Sequence, residues 1–239
     1  MSGHSKWATT RRHKAVVDAK RGAHFTKLSK AITVAAREGG GDPDRNMKLR
    51  LSVDLARSAS MPKENIERAI KRGTGELVGD TVEELVYEGF GPEGVALLVE
   101  VMTDNRNRTV SDVKKVFTKY GCSMGAQGSV GWMFERKGAI RIIPTSDTMV
   151  DELVLIDLGV EDIISEDEEL LLLTPPDKLT TIERGVQELG YTVEQSELVY
   201  WPKSPVAFPE DRAGEKLGQL VDTLDNLDDV VNVFTNTTS

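Results

Sequence analysis

Apolar residues recur at helical spacing three times in the first third of the chain. Phe25, Leu28, Ile32 and Ala35 share one stripe, which stops at Gly39-Gly40-Gly41. After the Asp42-Pro43 turn, Leu49, Val53 and Ala56 form a second stripe. Pro62 suits the first turn of a third helix, which carries Ile66, Ala69 and Ile70 and ends at Gly73. Residues 23–75 therefore read as a small helical bundle, preceded by a basic, glycine-punctuated arm over residues 1–22.

Near residue 80 the period changes. Val95–Met102 is a near-continuous apolar run and reads as a buried strand. Val110–Tyr120 turns Val113, Val116, Phe117 and Tyr120 to one side of a helix. Strands are expected at Val130–Glu135 and Ala139–Ile143, with Lys137-Gly138 as the turn between them. A helix at Thr148–Leu158 and a strand at Glu169–Leu173 follow, and Pro175-Pro176 breaks the chain before a helix at Lys178–Leu189. Tyr191–Tyr200 reads as a strand, Glu210–Leu227 as a helix and Val230–Phe234 as a last strand. The alternation gives an α+β, multi-domain chain. The strand–helix–strand at 94–136 lacks a second helix and a final strand, which the C-terminal pair supplies. Domains are expected at 1–78, at 79–143 together with 205–239, and at 144–204 as an insertion.

Composition narrows the class. Hydrophobic content of 39% and charged content of 29% suit a soluble globular protein, and no apolar run is long enough to span a bilayer. The first twenty residues are basic without an apolar core, unlike a secretory signal. A single cysteine, Cys122, excludes internal disulfides and Cys-rich zinc sites, so a reducing, cytoplasmic compartment is expected. The net charge of −9 argues against a polyanionic partner until its distribution is read. Residues 1–75 hold 17 Lys and Arg against 7 Asp and Glu, a net of +10, and the remainder carries −19. One end is then suited to a phosphate chain while the body is repelled from it. The competing reading is that the basic end docks on the acidic body.

The arm concentrates the candidate chemistry. His4, Lys6, Arg11, Arg12, His13, Lys14, Lys20 and Arg21 can neutralise phosphates and release counterions. Trp7 lies outside any apolar stripe and can stack on an exposed base or tuck against the bundle. In the helices, Lys27, Lys30 and Arg37, then Lys48, Arg50 and Arg57, then Lys63, Arg68, Lys71 and Arg72 lie off the apolar stripes and extend the basic surface. Such a bundle can lie along phosphates without naming DNA or RNA, and no helix-turn-helix spacing nominates a groove-reading helix.

Other motifs carry less. The histidines at 4, 13 and 24 sit among positive charges with no nearby cysteine, so no metal site is expected. Gly39-Gly40-Gly41 lacks the Gly-Lys-Ser/Thr ending of a phosphate loop and reads as a helix stop. Thr103-Asp104-Asn105-Arg106-Asn107-Arg108-Thr109 follows a strand and precedes a helix. Asn107 or Thr109 can cap that helix, Asp104 can form an Asx turn, and Arg106 and Arg108 either hold phosphate or serve as ion-pairing groups. Glu161-Asp162 and Glu166-Asp167-Glu168-Glu169 make the inserted domain acidic, as a solvated turn or as a surface for a basic protein. Cys122 and Ser129 have no nucleophile setting, since every histidine lies within the first 24 residues. No catalytic residue, cofactor or small-molecule substrate is expected.

The strings Gly3-His4-Ser5-Lys6-Trp7, Asp18-Ala19-Lys20-Arg21-Gly22, Met61-Pro62-Lys63, Asn65-Ile66-Glu67-Arg68-Ala69-Ile70, Tyr87-Glu88-Gly89, Thr103–Thr109 and Gly128-Ser129-Val130 together resemble the YebC family, which includes the mitochondrial translational activator of cytochrome c oxidase. Met47, and Cys122-Ser123-Met124, depart from that family's usual residues. The resemblance implies an N-terminal three-helix bundle with its basic arm, a central ferredoxin-like α+β domain, and a second α+β domain inserted in it. It implies no enzymatic activity. It further implies either a ribosome-associated translation factor that eases elongation through difficult stretches such as proline runs, with ribosomal RNA as partner, or a DNA-binding transcriptional regulator. A protein–protein adaptor acting through the acidic domain remains the reading of a different class.

Overall fold

The computed structural model describes residues 21–78, 81–143, 152–166, 169–209 and 211–237, with the side chains of Arg21, Ala23, Glu166 and Asp211 not described. Three helices open it: α1 (Arg21–Gly39), α2 (Met47–Ser58) and α3 (Lys63–Gly73). The three apolar stripes meet in one core of Leu28, Ile32, Ala35, Ala36, Leu49, Val53, Ala56, Met61, Ile66 and Ala69. α1 stops at Gly39, and Gly40 takes the left-handed conformation that glycine tolerates, with φ +85°. Asn46 then clamps the turn. Its side-chain amide donates to the carbonyls of Ala35 (2.7 Å) and Gly40 (2.9 Å), while its Oδ1 accepts from Leu49 N (3.1 Å) and caps α2. Pro62 stands one residue before α3, as its N-cap.

Two compact units divide the chain, 1–134 with 202–239, and 135–201. In the first, β1 (Glu83–Phe90), β2 (Ala96–Thr103), β3 (Ser123–Met124) and β8 (Val230–Thr235) form a sheet of order β3-β1-β2-β8, every pairing antiparallel. Helix α4 (Arg106–Lys119) and helix α7 (Asp211–Asp225) cover one face. Leu97, Val99 and Val101 of β2 pack there with Val113, Val116 and Phe117 of α4 and Leu217, Leu220, Val221 and Leu224 of α7. β2 is buried along its whole length because α1 contacts it as well, which explains a run with hardly a polar break. Gly89 is a packing requirement on β1: a Cβ there would lie 2.5 Å from the Phe117 ring.

The second unit holds β4 (Phe134–Ile143), β5 (Asp162–Glu166), β6 (Glu169–Thr174) and β7 (Thr192–Pro202) in the order β5-β6-β4-β7, with α5 (Glu152–Asp157) and α6 (Leu179–Glu188). Leu170–Leu173, Leu155, Leu179, Ile182 and Val186 are buried. The sequence division at 143/144 and 204/205 differs from the compact units because β4 pairs with β6, which draws residues 135–143 into the second sheet.

The structure corrects several local expectations. Two strands joined by a turn at Lys137-Gly138 are one strand, β4, with Gly138 paired to Thr174 inside it. Gly138 is there for close approach: a Cβ would run into the Thr174 hydroxyl and lie 2.8 Å from a Leu179 methyl. The acidic segment from Asp162 contains β5, whose register sets Glu166 opposite Glu169. The apolar pattern gives no sign of β1, since most of its residues are only half buried and Glu83, Glu84 and Glu88 interrupt it. The expected helix at Thr148–Leu158 is present as α5, its first residues lying outside the described ones.

Candidate nucleic-acid interface

α3 presents its charges outward for a simple reason. Ile66 and Ala69 turn into the bundle core, so Lys63, Arg68, Lys71 and Arg72 fall on the opposite side and are exposed. Arg68, Lys71 and Arg72 are three and four residues apart, neighbours on a helix surface. Lys63 Nζ lies 3.6 Å from Glu67, an open pair with 89% of the lysine side chain exposed, so solvent screens it strongly. Arg68, Lys71 and Arg72 form no ion pair among the described residues. Lys71 and Arg72 also suit the last helical turn, where cations meet the negative end of the helix dipole.

Most cations of the other helices are committed elsewhere, Arg37 at the exposed end of α1 excepted. Lys27 donates to the Asp225 carbonyl at the end of α7 and Lys30 lies 2.5 Å from a carboxylate oxygen of Asp229, just before β8, so both sequence candidates tie α1 to the covering helix and the sheet. Lys48 bridges Glu38 (3.0 Å) and Glu84 of β1. Burial opposes charge on Lys48, and the hydrogen bonds it donates to Glu84 and Glu38 outweigh it, leaving its pKa raised. Arg57 pairs with Asp54 at 3.2 Å. Off-stripe spacing could not separate these residues from those of α3, because it says which side of a helix faces out of the bundle and not which part of that side the sheet and its helices cover.

Arg108 joins the same hub as Lys30. Its Nη2 donates to Asp104 (2.8 Å) and to Asp229 (2.9 Å), and Asp229 also accepts from Thr109 (2.7 Å) and Thr103 (3.3 Å). Burial would raise the Asp229 pKa; the donors Lys30, Thr109 and Arg108 outweigh it and bring it down to about 2. The helix cap is Asn105, whose Oδ1 accepts from Arg108 N at 3.1 Å, and not Asn107 or Thr109. Arg106 is mostly exposed, 3.4 Å from Glu83. The Thr103–Thr109 string is thus a structural joint between β2, α4, β8 and α1.

A second carboxylate had no signal in the apolar pattern. Glu88 of β1 accepts the backbone N–H groups of Gly128 (2.6 Å), Val130 (2.6 Å) and Gly131 (2.8 Å). Burial pushes its pKa up, and these donors outweigh it and hold it below the usual carboxylate range. Glu88 and Gly128–Gly131 lie 40 or more residues apart, and no periodic pattern in the sequence links them.

His4, Lys6, Trp7, Arg11, Arg12, His13, Lys14 and Lys20 lie outside the described residues, and Arg21 opens α1. Among the described residues there is no cluster of three or more His, Cys, Asp or Glu able to hold a metal, and no helix is long and apolar enough to cross a membrane.

Comparison with known proteins covers nearly the whole chain. Residues 5–76 match the family model described as TACO1/YebC protein N-terminal domain, and residues 82–237 match TACO1/YebC second and third domain. A protein of Persephonella marina named "Probable transcriptional regulatory protein" is 48% identical over 99% of this chain and 95% of its own length. One of Chlorobaculum tepidum with the same description is 49% identical over 99% and 94%. The crystal structure of a conserved hypothetical protein from Aquifex aeolicus superposes with a TM-score of 0.84 at 42% identity, covering 93% of this chain and 92% of that one.

Proposed function

The chain belongs to the TACO1/YebC family, and from that premise we propose that it is a non-enzymatic regulator of gene expression that grips nucleic-acid phosphates with its N-terminal arm and the outer face of α3. The observation that carries the proposal is the row of Arg68, Lys71 and Arg72. These cations are exposed and have no ion pair among the described residues, while Lys27 of the same bundle is tied to the end of α7 and Lys30 and Lys48 to the sheet. Solvent-facing, unpaired cations are free to exchange small counterions for phosphates. The net of +10 over residues 1–75 supports the same end as the contact. Within this reading, the chain acts in the cytoplasm as a translation factor on ribosomal RNA, easing elongation at difficult stretches such as proline runs. The acidic remainder stays outside the phosphate-lined site.

A second reading, DNA-bound control of transcription, is favoured by the names of the relatives in Persephonella marina and Chlorobaculum tepidum. Crosslinking in cells with sequencing of the attached nucleic acid separates the two. Recovery of ribosomal RNA supports the first, and promoter DNA without ribosomal RNA replaces it with the second. Salt titration tests the shared claim. With four to five phosphates engaged, log affinity falls against log salt with a slope of roughly −3 to −4. A flat response would overturn both in favour of a protein adaptor.

A further inference from the structure

A cleft of about 270 Å³ opens between α1 and α3 on the cationic side of the bundle. Phe25 and Ser29 line it from α1; Asn65, Arg68 and Arg72 line it from α3, with Ala69 between them. Elsewhere the two helices are in close contact. Thr33 Oγ1 donates to the Ala69 carbonyl at 3.1 Å, and a Cβ on Gly73 would lie 2.6 Å from Ala36. The helices therefore hold the walls of the cleft on packed contacts and not on a loop.

Its lining contains two guanidinium groups and no carboxylate. Arg68 and Arg72 are one helical turn apart, exposed and without an ion pair among the described residues. Two such forks beside each other suit a phosphate. A phosphate alone would not account for the rest of the lining. Phe25 is half-buried and offers an apolar aromatic surface at the edge of the cleft. The Asn65 side-chain amide has no hydrogen-bond partner among the described residues, although its backbone N–H is used by Pro62 O. An amide presenting both donor and acceptor is suited to a base edge. At about 270 Å³ the cleft is on the scale of one nucleotide, below the roughly 300–1,000 Å³ of pockets that enclose drug-sized ligands.

We propose that this cleft seats a single unpaired nucleotide of a nucleic-acid strand, its phosphate on Arg68 and Arg72, its base against Phe25 and its edge at Asn65. This rests on the nucleic-acid reading above and adds to it a strand state: the target is single-stranded at the point of contact, since a base paired in a duplex offers no free face. RNA and DNA present the same phosphate and base chemistry to these groups.

The test is fluorescence anisotropy of the full chain with labelled, unstructured twelve-nucleotide RNA and DNA strands and with a blunt duplex of equal length. Arg68→Gln and Arg72→Gln are expected to lower single-strand affinity roughly tenfold each. Arg37→Gln, an equal loss of charge at an exposed position outside the cleft lining, should cost less than threefold. Phe25→Leu should cost single-strand binding roughly tenfold, the loss of one base–aromatic stack, and leave duplex binding unchanged. Because Phe25 also packs on the bundle, Asn65→Asp serves as the second variant; it places a negative charge in the same cleft from a half-exposed position. Thermal midpoints verify folding. Wild-type binding with Arg68→Gln and Asn65→Asp within twofold of it, or equal losses for strand and duplex, overturns the nucleotide seat and leaves the broader reading standing. If the wild-type chain binds none of the probes, both fall together.

Discussion

The ammonium of Lys30 lies 2.5 Å from a carboxylate oxygen of Asp229, 199 residues further along the chain, with 16% and 8% of the two side chains exposed. This pair joins the helical bundle to the end of the sheet. Arg108, Thr109 and Thr103 complete the shell of donors around the same carboxylate. Spacing along α1 alone would offer Lys30 to a phosphate; the fold uses it as a rivet.

Asp229→Asn should therefore destabilise the chain more than any surface change. The substitution removes the countercharge of a largely buried ammonium and one acceptor of a four-donor network. Breaking such a pair by removing one partner costs about 3–5 kcal/mol when buried. With Arg108 half-exposed and able to turn to Asp104, about 2–3 kcal/mol is expected here. The midpoint of urea unfolding reports it, and a change within 0.5 kcal/mol would rule the rivet out.

The same carboxylate predicts an acid limb. Its folded pKa of about 2 lies below the ordinary 3.8, so the unfolded chain binds more protons between those values. Stability from Asp229 is fully present above pH about 4 and is lost as the pH falls toward 2. Allowing for solvent screening, the amount is on the order of 1–2 kcal/mol. Glu88, also lowered, acts in the same direction. The difference in unfolding free energy between wild type and Asp229→Asn should shrink through this window; a constant difference from pH 5 to 2 would remove Asp229 as its source.

How much of this was legible in the sequence depends on which force left the pattern. Helices α4, α6 and α7 and strands β2, β6 and β8 each follow a run whose period is set by one buried side, and their expected limits lie within a few residues of those observed. β1 escaped because its sheet face is interrupted by carboxylates that serve specific partners: Glu84 meets Lys48, and Glu88 meets three backbone N–H groups. Gly138 misled because a glycine needed for close packing against Thr174 and Leu179 looks like one needed for a turn. The basic character of the bundle was plain in composition. Which cations remain free was not, since that is decided by Asp225, Asp229 and Glu84, residues far along the chain whose approach only the tertiary fold brings about.

Glu88→Gln should loosen the segment from Gly128 to Gly131 without unfolding the sheet. Glutamine keeps one acceptor oxygen where the carboxylate offers two to three backbone N–H groups, and it introduces a donor that faces other donors. Bonds to a charged acceptor contribute about 1.5–3 kcal/mol each way, and a loss of about 2 kcal/mol is expected. Faster amide exchange at Gly128, Val130 and Gly131 is the local readout. Unchanged exchange there would show that the loop holds itself.

Gly138→Ala distinguishes packing from turn. A turn glycine with an accessible conformation accepts alanine at little cost, but here the added methyl meets the Thr174 hydroxyl and the Leu179 side chain. Overpacking of this kind costs about 1–3 kcal/mol. Pairing the change with Thr174→Ala should recover part of the loss, because the nearest obstructing atom is removed; no recovery would place the strain in the backbone instead.

The last prediction separates a phosphate contact from a rivet among residues of the same charge. Lys71 is exposed and has no ion pair among the described residues, whereas Lys30 is held by Asp229. Lys71→Gln should leave the unfolding midpoint within about 0.5 kcal/mol of wild type, as substitutions at open surface positions do. It should weaken binding to all nucleic-acid sequences alike and reduce the salt slope by about 0.7 for a single strand or 0.9 for a duplex, the share of one released counterion. Lys30→Gln should do the reverse, lowering stability by about 1–3 kcal/mol because Asp229 loses a charged donor, with the salt slope of the remaining folded protein unchanged. If both substitutions moved the salt slope equally, the division of the bundle into a docked side and a free side would be wrong.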